Sequence, residues 1–249
     1  MRKITVEVCC GSADDVIESY KAGADRVELN SNLFQGGLTP TAGELEVAKK
    51  ATALPIMTMV RPREGGFCYT KAEYKTALAD AKILLEHGAD GIVFGFLKEN
   101  GMVDLERCRA MMEIIGDRES VFHRAIDVVP DWKEAIDMLC EIGVKRILTS
   151  GQSSSVFEGA ETVGAMNQYA RGRIQILPGA GITARNLRQV VSLTGCSQVH
   201  IAPQKTVYDR SASGNPAIYF GGMLYPPEDR YSLIDKNQVQ RMRESLVRE

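Results

Sequence analysis

The sequence predicts an α/β protein with the architecture of a TIM-like (β/α)8 barrel, as a single domain over residues 1–249, on three observations. Eight short β-branched or apolar runs alternate with amphipathic stretches of helical length, at a repeat of roughly 22 to 36 residues, the size of a βα unit. The junctions follow one pattern. Residues 21–29 (Lys-Ala-Gly-Ala-Asp-Arg-Val-Glu-Leu), 86–94 (Glu-His-Gly-Ala-Asp-Gly-Ile-Val-Phe) and 141–149 (Glu-Ile-Gly-Val-Lys-Arg-Ile-Leu-Thr) each end a helix at glycine and enter a buried strand two residues later. The length of 249 residues suits eight such units. A doubly wound open sheet is the runner-up, but it has no need of eight equally weighted units, and no segment reads as an interdomain linker.

In chain order, strands are expected near Ile4–Val8, Arg26–Leu29, Ile56–Val60, Gly91–Phe94, Val121–His123, Arg146–Leu148, Ile174–Leu177 and Gln198–Ile201. Helices are expected over Ala13–Ala22, Thr41–Ala53, Lys71–His87, Leu105–Ile115, Trp132–Ile142, Glu158–Ala170 and Ala184–Thr194, with Thr183 a suitable N-cap for the last. Residues 204–233, with Gly214, Pro216, Gly221, Gly222, Pro226 and Pro227, read as a long loop that serves as a lid or an oligomer contact. A closing helix follows over 237–248, with Val239, Met242 and Leu246 on one face.

Composition is that of a soluble globular chain, 44% hydrophobic and 25% charged. A net charge of −2 gives no reason to expect nucleic acid or an anionic membrane as partner. No apolar run approaches the roughly 18 to 20 residues that span a bilayer. Met1-Arg2-Lys3 leads straight into a strand without a signal-peptide core, so a cytoplasmic location is expected. The six cysteines, at 9, 10, 68, 108, 140 and 196, form no Cys-x-x-Cys pair and read as reduced thiols.

A barrel directs attention to the C-terminal strand ends, where barrel chemistry sits. Strand alternation turns Thr5, Glu7 and Cys9 inward on the first strand, and Arg26, Glu28 and Asn30 inward on the second. Two inward carboxylates need partners, and the nearby cationic strand ends are Arg61 and Arg124. The fifth strand ends in Val121-Phe-His-Arg-Ala-Ile-Asp127, with His123 inward. Thr149-Ser150 end the sixth strand and His200 the eighth, while Arg63 joins Arg61 in a loop with Gly65-Gly66. Leu177-Pro-Gly-Ala-Gly-Ile-Thr183 is a glycine turn whose Gly179 and Gly181 would let backbone N–H groups meet an anion at a helix N-terminus. Two readings of the mouth stand: a structural ion-pair network, or a site for a small anionic ligand. In the second, Glu7, Glu28 and His123 are candidate acid or base groups, Arg124 and Asp127 are further catalytic candidates with Arg124 assisting the anion, and Arg61, Arg63, Gly179, Gly181, Thr149, Ser150 and His200 are candidate ligand-binding residues. An isomerase, epimerase or lyase acting on a phosphorylated or carboxylated compound suits that set better than a hydrolase, since no nucleophile motif is present.

Val6–Cys9, Ala24–Leu29, Gly36–Pro40, Met59–Arg63, Gly88–Gly95, Phe122–Asp127 and Arg146–Gln152, taken in order, resemble the CutC family. The resemblance implies a TIM-like barrel, a cytoplasmic homo-oligomer and a role in copper homeostasis. It also implies Cu(I) ligation by cysteines near the ends of the first two strands, with copper(I) as the bound ion. Cys9 matches the first position; the second, in the family's Glu-Leu-Cys pattern, is Asn30 here. Met57 and Met59 could add thioether sulfur. A scaffold that uses 204–233 for assembly is the third reading.

Overall fold

The first five helices begin where a short polar side chain takes one of the first free backbone N–H groups. Ser12, Thr41, Asp104 and Asp131 each accept such a bond, and Thr70 forms a reciprocal capping box with Glu73. The junction glycines 23, 88 and 143 adopt φ of 78°, 96° and 79° after the helix ends, a left-handed turn that a β-carbon would penalise.

In a computed structural model, which describes residues 3–215, 217–220 and 227–247, these starts and stops give eight strands and seven intervening helices. They run β1 (Thr5–Cys10), α1 (Ala13–Lys21), β2 (Arg26–Leu29), α2 (Ala42–Ala51), β3 (Ile56–Met59), α3 (Lys71–Glu86), β4 (Gly91–Phe94) and α4 (Leu105–Ile115). Then follow β5 (Glu119–Phe122), α5 (Trp132–Glu141), β6 (Arg146–Thr149), α6 (Ala160–Ala170), β7 (Gln175–Pro178), α7 (Leu187–Thr194) and β8 (Gln198–Ile201). All eight are parallel and neighbours in chain order, and β8 pairs with β1, so the architecture is a (β/α)8 barrel. Between β7 and β8 the backbone ladder is replaced by a side chain, with Gln198 Nε2 donating to the Ile176 carbonyl at 3.2 Å.

The strands separate two apolar regions. Outside them, Val8, Val27, Ile56, Ile92, Phe122, Ile147 and Val199 pack against the helices. Inside, Met57, Met59, Val93, Val121, Leu148 and Leu177 form a plug. Polar groups close the plug at the strand starts. Arg146 Nη2 pairs with Glu119 at 2.8 Å, and Arg26 Nη2 donates to Gln198 at 2.7 Å. The interior is therefore a packed core, with a cavity at the C-terminal ends of the strands.

Three expectations change. The fifth strand stops at Phe122, so His123 caps a 3-10 turn over Arg124–Val128 rather than ending the strand. The seventh helix starts at Leu187 rather than near Thr183, because Asn186 Oδ1 accepts from the Thr183 N–H at 2.8 Å and holds 183–186 as a turn. The segment 204–233 opens and closes as an antiparallel hairpin of β9 (Gln204–Tyr208) and β10 (Arg230–Ile234), rather than running as loop throughout. Its Pro216, Gly221, Gly222 and Pro226 lie outside the described residues, as does Arg248 at the end of the closing helix α8 (Lys236–Val247). Among the described residues no helix is long and apolar enough to cross a membrane.

Candidate metal and ligand site at the barrel mouth

Register builds the site. β1 lies between β8 and β2, with Glu7 opposite His200 and Cys9 opposite Glu28. Side chains that alternate inward on three adjacent strands therefore converge. A thiol sulfur of Cys9, a carboxylate oxygen of Glu28 and a ring nitrogen of His200 all lie within 4.8 Å of one another. They stand at the floor of a cavity of about 620 Å³.

Around this cluster the hydrogen bonds are directional. His200 Nδ1 meets Glu7 Oε1 at 2.7 Å, which leaves Nε2 as the ring atom for a ligand. The other Glu7 oxygen accepts from Arg26 Nε. Asn30 Nδ2 donates to Glu28 Oε1 at 2.9 Å and to Cys9 Sγ at 3.6 Å, while the second Glu28 oxygen is buried with no partner among the described residues. Electrostatics follows these contacts. Burial would raise the Glu7 carboxyl, but Arg26 and His200 hold it well below the usual carboxylate range. Burial would lower His200, but the acids around it, Glu28 first, raise it well above its ordinary value. Burial pushes the Cys9 thiol up to about 11 and raises Glu28 as well.

The predicted residues fall into three groups. Cys9, Glu28 and His200 come together as donors, with Glu7 behind them. Glu7 is engaged on both oxygens, which leaves it to orient His200 rather than to exchange protons with a substrate. The expected pairing of the two glutamates with Arg61 and Arg124 does not form. Arg26 reaches Glu7 first, because it is the register neighbour on β2.

A second group lines the same cavity farther out. His123 is buried beside the Phe67 ring at 4.8 Å, its Nδ1 accepts from the Ala125 N–H at 3.2 Å, and burial with the nearby Arg61 charge lowers it to about 3. It is neutral and a hydrogen-bond donor, not a base poised near neutral pH. Its ring lies close over Gly95, where a β-carbon would stand 2.4 Å from Cε1. Arg61 reaches the cavity wall as well.

The third group is tied up in loop structure. Asp127 accepts from Thr149 Oγ1 at 2.5 Å, from the Ser150 N–H and Oγ, from the Gln152 N–H, and from Arg124 at 2.8 Å. The Thr149 and Ser150 hydroxyls are spent on that latch, and Arg124 is clamped to it. Arg63 points outward to Glu73 at 2.8 Å, away from the mouth. Gly181 lines the cavity and Gly179 packs on Leu148 and His200, but the turn to Leu187 separates the glycines from the helix N-terminus that was to strengthen anion binding. Sequence reasoning did not group His200 with Cys9 and Glu28, nor did it include Phe67. Closure of the barrel, which makes the first and last strands neighbours, is the signal that could have joined His200 to Cys9.

Comparison with known proteins points one way. The CutC family model matches residues 4–205. A CutC family protein of Treponema denticola is 50% identical over 246 residues, covering 99% of this chain and 100% of that protein. The human copper homeostasis protein cutC homolog is 37% identical over 235 residues, 94% of this chain and 86% of its own. The crystal structure of CutC from Streptococcus agalactiae superposes with a TM-score of 0.76 at 34% identity, covering 79% of this chain and 97% of that one.

Proposed function

The chain belongs to the CutC family, and from that premise we propose that it binds a copper ion as cargo at the barrel mouth, in the service of copper homeostasis. The observation that carries this reading is the convergence of Cys9, Glu28 and His200 ligand atoms within 4.8 Å. The donor chemistry fits. Thiolate and imidazole are both good copper ligands, and a carboxylate completes a mixed set that also suits a borderline divalent ion. Glu7 supports the assignment, because a carboxylate on the far nitrogen of a ligating histidine fixes its orientation and raises its basicity. Asn30 supplies no sulfur where the family resemblance places one, but it donates to both Cys9 and Glu28 and so sets their spacing.

An ion here must displace two protons, that of the Cys9 thiol, which burial holds firmly, and that on His200 Nε2, which the surrounding acids hold. Titration of the full chain with Cu(I) under a competing chelator should give one ion per chain. Cys9→Ala and His200→Ala should each weaken binding by more than the roughly 10- to 100-fold that loss of a ligand's supporting partner costs. Unchanged affinity in both variants would remove the site. Repeating the titration with Cu(II) and Zn(II) reports which ion the mixed donor set prefers. The same reading includes a cytoplasmic homo-oligomer, with assembly checked by sedimentation velocity.

A second reading has one specific observation behind it: the cavity extends well beyond the ion cluster, to Arg61 and His123. A small organic substrate at the mouth, and hence an isomerase, epimerase or lyase, is consistent with that space. Neutral His123 and doubly engaged Glu7 leave Glu28 as the acid–base candidate, its carboxyl raised by burial. Turnover of no compound in a panel of sugar phosphates and keto acids would count against it.

A further inference from the structure

Arg61 is only 7% exposed, yet its terminal nitrogens are held by neutral dipoles, the carbonyls of Gln35, Gly37 and Gly65, at 2.9, 3.0 and 2.9 Å. Among the described residues no carboxylate lies within the 4.0 Å that defines an ion pair with it, and its Nε is buried without a hydrogen-bond partner. A buried charge is ordinarily paired, since leaving it without a counter-ion costs several kcal/mol. His123 stands on the same wall of the cavity. Because its Nδ1 accepts from the Ala125 N–H, the ring proton is on Nε2, and Nε2 is buried with no acceptor. Phe67 packs against both, 4.8 Å from the His123 ring and 5.5 Å from the Arg61 guanidinium. An ion on Cys9, Glu28 and His200 would use a small corner of a cavity of about 620 Å³. Small-molecule sites have volumes of roughly 300 to 1,000 Å³ and apolar walls with a few convergent polar groups.

We infer that the Arg61–His123 wall binds the carboxylate of a small organic anion, whose body lies against Phe67 and Leu148. The carboxylate supplies the missing counter-ion to Arg61 and the missing acceptor for His123 Nε2–H. The apolar walls accept a compact, uncharged remainder. The inference needs no ion on the Cys9 cluster, so it stands or falls apart from copper binding.

Calorimetric titration of the metal-free full chain with acetate, phenylacetate and mandelate, and with phenylacetamide as neutral comparator, tests it. Saturable binding of phenylacetate or mandelate is expected, with the amide about tenfold weaker or worse, as for loss of a charge-assisted hydrogen bond. His123→Phe keeps a ring against Phe67 but removes the donor, and should weaken the carboxylates about tenfold. Arg61→Gln should abolish binding, and since it also releases loop carbonyls, its fold is checked by circular dichroism while His123→Phe decides independently. Absence of saturation with all three carboxylates, equal affinity for the amide, or unchanged affinity in His123→Phe overturns the inference.

Discussion

Burial alone would push the Glu7 carboxyl above its ordinary value of 4.5, since a charge in a low-dielectric interior loses its hydration. The Arg26 guanidinium on one oxygen and His200 on the other reverse that, and the folded-state value falls well below the usual range. A depressed carboxyl contributes stability that is present above 4.5 and is lost as pH falls through the folded value. His200 has the opposite sign: raised in the fold, it contributes fully below its ordinary 6.5 and less as pH climbs towards its folded value. Glu7→Gln should therefore destabilise the protein at pH 6 by about 3 to 5 kcal/mol, the cost of breaking a buried pair. The deficit should shrink as pH falls below 4.5, as read by urea unfolding. A deficit equal at pH 6 and pH 3 would point to packing rather than charge. At the same scale, His123 shows that position and role separate: it faces the cavity, as strand alternation predicts, but its surroundings leave it a donor.

The turn after β5 shows how polar residues that line a cavity can also hold the structure around it. His123-Arg-Ala-Ile-Asp127 looks like a catalytic strand end, yet Asp127 serves the backbone of the next loop. It takes the N–H groups of Ser150 and Gln152 and the hydroxyls of Thr149 and Ser150, so that β5 and β6 leave the barrel at a set spacing. Asp127→Ala would leave several of these donors without an acceptor, and a loss of about 3 kcal/mol in unfolding free energy is expected. Copper and carboxylate affinities at saturation of the folded state should be little changed, since Asp127 touches neither donor set. A similar strut ties the C-terminal hairpin to the barrel. Buried Asp15 accepts from the Gly11 N–H at 2.8 Å and from the Ile234 N–H of β10 at 2.6 Å, joining the loop after β1 to the far end of the chain.

At the scale of the whole molecule, closure depends on how the interior is filled. Gly91 begins β4 beside β3 and β5, and a β-carbon there would stand 2.5 Å from the Glu119 carbonyl and 2.8 Å from Met57 Sδ. No flexible side-chain tip can yield to relieve the backbone contact. Gly91→Ala should cost about 1 to 3 kcal/mol through overpacking, measured as a fall in the midpoint of chemical unfolding without a change of slope. The ion cluster is also a whole-molecule feature. Cys9 and His200 lie 191 residues apart in sequence and meet only because β8 closes against β1.

Periodicity and turn chemistry were enough to read the barrel. Hydrophobic runs, helix caps and junction glycines are local signals, and each acts within a few residues of where it is written. They located all eight strands to within a few residues, and alternation turned Glu7, Cys9, Glu28 and His123 inward. Partnership was not legible, because it depends on register between strands distant in sequence. Arg26 rather than Arg61 neutralises Glu7, Asp127 accepts from the backbone of the next loop, and Asn186 delays the seventh helix past the glycine turn. The sequence by itself determined the architecture and which end of the barrel carries polar groups. Only the tertiary structure decided which of those groups satisfy one another and which, as at Glu28, Arg61 and His123, retain an unpartnered buried polar atom, since pairing is settled by distances that barrel closure alone creates.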